Sequence, residues 1–192
     1  MRVLGLNGSP HTDGITARLL DAALAGAKAE GGETKSLHLY TMKIAPSDGC
    51  PKCVGTCTIH DDNDLLYSSY RELDALVVSL PIYFENVPGH VKAAIDRCQA
   101  LWMDKHLHKN RIAPTKRPGA AIITAGSNSF AQFGYTWHVA RSWFTTIEVR
   151  MSRSLFVPNL DEDPGRERAV PLLEEARRMG GEIAVLALGK RR

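Results

Sequence analysis

The residues best placed to do chemistry lie in Leu6-Asn7-Gly8-Ser9-Pro10-His11-Thr12-Asp13-Gly14-Ile15-Thr16, directly after the apolar run Val3-Leu4-Gly5-Leu6. The segment reads as a buried strand, a tight turn of small and hydroxylated residues, and a helix start. Such a turn aims backbone N–H groups and the positive end of a helix dipole at one point, where a phosphate fits. The spacing excludes several phosphate chemistries. A Walker loop needs Gly, four residues, then Gly-Lys-Ser/Thr, and no Lys follows Gly8 or Gly14 at that offset. Gly5 and Gly8 do not begin the three-glycine dinucleotide fingerprint. No Cys-x5-Arg nucleophile follows any of the four cysteines. A hydroxyl-lined turn without a catalytic Lys suits a phosphate that is held and not transferred. The competing reading is a plain Ser-Pro connector.

Two further segments suit a planar ligand. Pro81-Ile82-Tyr83-Phe84-Glu85-Asn86-Val87-Pro88-Gly89 mixes apolar bulk with turn residues. Pro81 ends a strand, and Tyr83 and Phe84 then present flat apolar faces beside backbone N–H and C=O groups expected to be free. Thr124-Ala125-Gly126-Ser127-Asn128-Ser129-Phe130 is built of small residues that let the backbone approach a ligand closely. A third group, Cys50-Pro51-Lys52-Cys53-Val54-Gly55-Thr56-Cys57, has thiol spacing compatible with an iron–sulfur cluster, zinc, or simple redox-active thiols. Cys98 falls on an apolar helix face and reads as core. The histidines show no metal-ligand spacing.

The elements that must position these segments alternate regularly. Strands are expected at 2–6, 34–39, 75–80, 120–124 and 154–157, and helices at 15–28, 61–72, 87–102, 132–146 and 165–186. The strands show little polar alternation, as strands covered on both faces do. Five strands alternating with five helices imply a parallel sheet with helices on both sides. Ligands in such sheets bind beyond the C-terminal strand ends, so the loops after the first, third and fourth strands converge on one site. The dense aromatic group Phe130, Phe133, Tyr135, Trp137, Trp143 and Phe144 is half core, its surplus suited to an interface with a second copy.

Composition narrows the class. The 192 residues fit one domain, and 44% apolar with 23% charged residues are globular values. The net charge of +3 is too small and scattered to argue for nucleic acid. No apolar stretch approaches the ~20 residues of a membrane span. The start of the chain reads as a strand and not a signal peptide, and four cysteines without an even framework suit a reducing compartment. The expectation is a cytoplasmic protein.

Taken together, the motifs resemble the NADPH-dependent FMN reductase branch of the flavodoxin-like superfamily. That family's pattern is a Gly-Ser-Pro-Arg/Lys…Gly-Asn-Thr phosphate loop, then Pro-x-Tyr, then Lys…Ile-Asp-Arg. Here these read Gly8-Ser9-Pro10-His11…Gly14-Ile15-Thr16, Pro81-Ile82-Tyr83 and Lys92…Ile95-Asp96-Arg97, with Asp61-Asp62 before the second helix. The resemblance implies a flavodoxin-like three-layer fold with sheet order 2-1-3-4-5 and a non-covalent FMN. It places the phosphate on Ser9, His11 and Thr16, counts Ile15 among the cofactor-binding residues, and places the isoalloxazine on Pro81, Ile82, Tyr83, Phe84, Ala125 and Gly126. NAD(P)H is the implied co-substrate, a flavin, quinone or similar small molecule the acceptor, and a homo-oligomer the assembly. No side-chain acid or base is expected in the hydride step.

Two departures stand out. His11 replaces the usual Arg or Lys, which predicts FMN binding that weakens as pH rises through the histidine range. Ile15 replaces the usual Asn and removes one side-chain partner. Lys92, Asp96 and Arg97 read as a helix-start cation and a surface pair. Iron–sulfur flavoproteins, a sister branch, place a four-cysteine cluster in the connection that here holds three, with Ser47 where a first cysteine would stand. The competing functions are an iron–sulfur flavoprotein electron carrier and a flavodoxin-like FMN-binding module without NAD(P)H turnover.

Overall fold

A computed structural model describes residues 1–50, 53, 55, 57–162 and 170–189. Five strands, β1 (Arg2–Asn7), β2 (Glu33–His38), β3 (Ala75–Pro81), β4 (Arg117–Thr124) and β5 (Val149–Val157), form one sheet in the order β2-β1-β3-β4-β5. Every pairing is parallel. This is the flavodoxin-like arrangement, with its switch point between β1 and β3. The helices are α1 (Ile15–Ala29), α2 (Asn63–Glu72), α3 (Gly89–Arg97), α4 (Gln99–Leu107), α5 (Phe130–Thr146) and α6 (Val170–Gly189).

The period-2 geometry of strands explains why polar alternation is missing from the central ones. Leu4, Leu6, Leu76, Val78 and Leu80 pack on one face against Leu66, Tyr70, Val91, Leu101, Trp143 and Phe144 from α2 to α5. Val3, Ala75, Val77, Ala120 and Ile122 pack on the other against Leu19, Leu20, Ala23, Ile183 and Ala184 of α1 and α6. The edge strands differ. β2 carries Glu33, Thr34, Lys35 and Ser36, and β5 carries Arg150, Ser152, Arg153 and Ser154. Polar side chains there discourage strand addition from another chain. On the α1–α6 face the two helices nearly touch. A methyl group at Gly26 would overlap the Arg177 carbonyl, and one at Gly180 would overlap the Ala23 carbonyl.

Several boundaries depart from the sequence expectation. The helix expected at 87–102 is two, α3 and α4, because the Cys98 and Leu101 N–H groups bond to Ile95 and Cys98 carbonyls three residues back. The tightened turn redirects α4. The second strand stops at His38, and Leu39 opens a short 3-10 helix, Leu39–Thr41. β4 and β5 each start earlier than expected, at Arg117 and Val149. The helix expected from 61 begins at Asn63, since Asp61 and Asp62 are spent on the preceding loop, accepting N–H bonds from Ala45 and Lys43. The expected start of the last helix, at 165, lies outside the described residues.

Arg97 is the clearest correction. It is not part of a surface pair: it is 1% exposed, and its guanidinium is spread over four acceptors. These are the Asp61 carboxylate at 2.7 Å, the Ala45 and Ile59 carbonyls at 3.0 and 2.6 Å, and Cys57 Sγ at 3.2 Å. Asp96 pairs with Lys92 instead, one turn back on α3 at 2.6 Å. Burial alone would raise the Asp61 pKa, but the Arg97 hydrogen bond and the Ala45 and Asn63 N–H groups outweigh it and hold the carboxyl below its usual value.

Candidate functional site

At the C-terminal ends of β1, β3 and β4 lies a cavity of about 430 Å³, lined by Ser9, His11, Gly14, Ile15, Thr16, Pro81, Ile82, Tyr83, Phe84, Thr124, Ala125, Gly126, Leu160 and Asp161. The three loops that the sequence singled out meet around this space. Its size falls within the ~300–1,000 Å³ of small-molecule sites.

The turn after β1 is tightly specified. Asn7 is fully buried; its Oδ1 accepts the Ser9 N–H at 2.9 Å, and its Nδ2 lies 2.9 Å from His38 Nδ1. Ser9 Oγ accepts the His11 N–H at 3.1 Å, which leaves the hydroxyl proton to donate. His90, on α3, reaches across to the Gly8 carbonyl at 2.9 Å and packs edge-on against Tyr40. Burial lowers the His90 pKa, and the bond to Gly8 opposes that shift without reversing it. The α1 N-terminus bears no cap: Gly14 makes no side-chain hydrogen bond, and the first turn holds no acidic residue. Its leading N–H groups are thus without intrahelical partners and sit beside the cavity.

The remaining phosphate-side residues divide by what they can offer. The Ile15 side chain is buried in the α1–α6 core, so only its backbone is available to a ligand. Thr16 Oγ1 lies 2.9 Å from Thr124 Oγ1, and the Thr16 carbonyl accepts from Ser79 Oγ at 2.7 Å. These bonds join α1, β3 and β4 directly beneath the cavity.

The opposite wall is a strained turn. Tyr83 and Asn86 exchange backbone hydrogen bonds at 2.8 and 3.1 Å, and Ile82 N–H is bonded to the Thr124 carbonyl at 2.8 Å. The Ile82 N–H and both backbone groups of Tyr83 are therefore not free, contrary to expectation. The turn instead holds Phe84 and Glu85 at φ of 49° and 62°, a left-handed conformation unfavourable for side chains of that size. Its effect is to push the Phe84 ring fully into solvent, with Tyr83 half-exposed beside it. Thr136 of α5 braces the turn through the Glu85 carbonyl at 3.4 Å.

Gly126 closes the third side. Any side chain there would collide with the Asp161 carboxylate, and the 159–161 segment is laced to it by N–H bonds to the carbonyls of Ala125, Gly126 and Ser127. Asp161 and Leu160 were not foreseen, because their loop follows an edge strand and bears no motif. Asn7 and His90 were missed as supports, since their roles depend on partners 31 and 82 residues away.

Residues 1–149 match the family described as NADPH-dependent FMN reductase. The chain belongs to that family. Among curated relatives, an iron-sulfur flavoprotein of Methanosarcina thermophila is 32% identical over 69% of this chain and 67% of its own length. An iron-sulfur flavoprotein of Archaeoglobus fulgidus is 32% identical over 74% of this chain and 64% of its own. The chain thus spans about two thirds of the length of these relatives. A solved flavone reductase superposes with a TM-score of 0.73 at 21% identity, covering 100% of this chain and 65% of that one, which shows the shared fold.

The relatives' names raise the question of a cluster. Four-iron clusters take four cysteine thiolates. Cys50, Cys53 and Cys57 are grouped here, but residue 47 is Ser, and its hydroxyl accepts the Gly49 N–H. The remaining cysteine, Cys98, is buried and donates its S–H to the Ala94 carbonyl at 3.5 Å; burial pushes its pKa up to about 12. The described residues do not present a four-thiolate set.

Proposed function

We propose that this member of the NADPH-dependent FMN reductase family is an FMN-dependent NAD(P)H oxidoreductase that passes electrons to a flavin, quinone or similar small acceptor. The observation that carries the reading is the convergence of an uncapped helix start, an outward-facing aromatic turn and a glycine-floored loop on one cavity. Their chemistry fits FMN at each end. Ser9 Oγ and the leading N–H groups of α1 suit a dianionic phosphate, with His11 as the adjacent side chain. Tyr83 and Phe84 offer exposed flat faces to the rings, and Ala125 and Gly126 permit close backbone approach.

When bound, the flavin supplies the redox chemistry. The chain's own residues bind, orient and shield. The Asn7–Ser9 and His90–Gly8 bonds hold the phosphate turn in one conformation. The Thr16–Thr124 contact fixes the spacing between the phosphate and ring ends of the cavity. No side chain is assigned as acid or base. The Asp161 carboxylate gives the ring end a negative wall, which selects for ligand edges that carry N–H donors.

The test is anaerobic mixing of the FMN-loaded protein with NADH and with NADPH, followed by a quinone. Oxidation of either nicotinamide, stoichiometric with flavin bleaching, is the expected result. A protein that retains FMN but oxidises neither would be an FMN-binding module.

A further inference from the structure

A second site lies in the 42–62 connection, on residues that do not line the flavin cavity. Cys50 Sγ is 3.6 Å from Cys53 Sγ, and Cys53 donates its S–H toward Cys57 Sγ at 3.9 Å. Cys57 Sγ also accepts the Nε–H of Arg97 at 3.2 Å. Cys50 is partly exposed, whereas Cys53 and Cys57 are buried, at 6% and 5% exposure.

We infer that Cys50, Cys53 and Cys57 form a thiol–disulfide exchange site whose substrates are small disulfides, with Cys50 as the entry thiol, Cys53 as the resolving thiol and Cys57 as the hydrogen-bond acceptor that orients Cys53. The assignment follows from geometry. Only Cys50 is accessible enough to meet a substrate. Cys53 is in van der Waals contact with it and needs to approach by about 1.6 Å to reach disulfide length. Cys57 Sγ accepts both the Arg97 Nε–H and the Cys53 S–H, which keeps Cys53 oriented beside Cys50. Burial, and then the neighbouring thiols, push the Cys53 pKa up to about 11, so Cys53 stays protonated until a base takes its proton.

The exchange balances without an added oxidant. Cys50, after losing its proton to water, attacks a disulfide R–S–S–R; a Cys50–S–S–R bond forms, and one RS⁻ leaves and is protonated by solvent. Cys53 then loses its proton to water and attacks Cys50 Sγ. The Cys50–Cys53 bond forms, and the second RS⁻ leaves and is protonated by solvent. Two protein thiols are oxidised to one disulfide, and R–S–S–R is reduced to two RSH. Arg97 acts as a positioning residue. Its four acceptors lock the guanidinium, so Cys57 Sγ is held where Cys53 can reach it. This chemistry also accounts for a grouped set of three thiols where a four-thiolate cluster would need another.

The test is incubation of the full chain with oxidised glutathione, acid quench, alkylation and peptide mass analysis, with metal content measured on the same sample. The expected result is a Cys50–Cys53 disulfide, with Cys57 and Cys98 alkylated and no lasting glutathione adduct. Cys53→Ser should trap glutathione on Cys50, and Cys57→Ala should slow loss of that adduct by roughly tenfold or more. The inference is overturned by a persistent adduct on Cys50 in the unaltered chain or by a Cys53–Cys57 disulfide. It is equally overturned by stoichiometric iron or zinc that protects all three thiols from alkylation.

Discussion

At the residue scale, a few side chains determine whether the site exists. Ser9 is buried at the turn, and its hydroxyl accepts the His11 N–H, which leaves the hydroxyl proton to donate. Ser9→Ala should weaken FMN binding by about 1.5–3 kcal/mol, the usual worth of a hydrogen bond to a charged group, measured as a roughly ten- to hundredfold rise in Kd. An unchanged Kd would remove Ser9 from the phosphate site. Arg97 and Asp61 form the buried ion pair that anchors the cysteine connection. Asp61→Asn should cost about 3–5 kcal/mol, read as a lower urea midpoint, because it leaves a buried guanidinium short of its counter-charge. The Asp61 carboxyl and the buried Glu148 carboxyl, which pairs with Arg111 and Lys105, both have folded pKa values below their ordinary ones, burial opposing and cationic partners prevailing. Their stabilisation is therefore present above the unfolded pKa of about 4 and is lost as pH falls through the folded values. Stability should drop on acidification below about pH 4, and less steeply in Asp61→Asn. Ser9 could be read from its place after a strand and before a helix. Arg97 could not: Ile95-Asp96-Arg97 ends a helix, and nothing local reveals a partner 36 residues earlier.

At the scale of elements, the contact between α1 and α6 has no slack. Gly26 and Gly180 bring backbone against backbone where a methyl group would overlap a carbonyl. Gly180→Ala should destabilise the fold by about 1–3 kcal/mol through overpacking. A urea midpoint equal to that of the unaltered chain would show that the helices can separate without cost. Strand and helix order were legible because central strands buried on both faces lose polar alternation, and α1 shows a clear apolar stripe. The break between α3 and α4 was not legible. Val91, Ala94, Ile95, Cys98 and Trp102 keep helical spacing across it, and the turn depends on backbone bonds that leave no trace in hydrophobic period. The turn at Tyr83–Asn86 was legible as a turn. Its left-handed Phe84 and Glu85 were not, since no glycine or asparagine marks those two positions.

At the scale of the whole molecule, the sheet order places three sequence-distant loops around one cavity, in a chain that belongs to the NADPH-dependent FMN reductase family. The aromatic surplus of α5 separates as the sequence suggested. Phe133, Trp143 and Phe144 are core, whereas Tyr135 is exposed on the helix that braces the Phe84 turn. We therefore expect a homo-oligomer in solution that covers this region, and a monomer by light scattering at working concentration would refute it. The central claim is that the cavity recognises FMN through its phosphate as well as its ring. The most direct measurement is a fluorescence titration of the flavin-free protein with FMN and, in parallel, with riboflavin, which shares the ring and lacks the phosphate. FMN binding at least about a hundredfold tighter than riboflavin is the predicted result, consistent with several charge-assisted hydrogen bonds to the phosphate. Equal affinity for the two, or no binding of either, would contradict it.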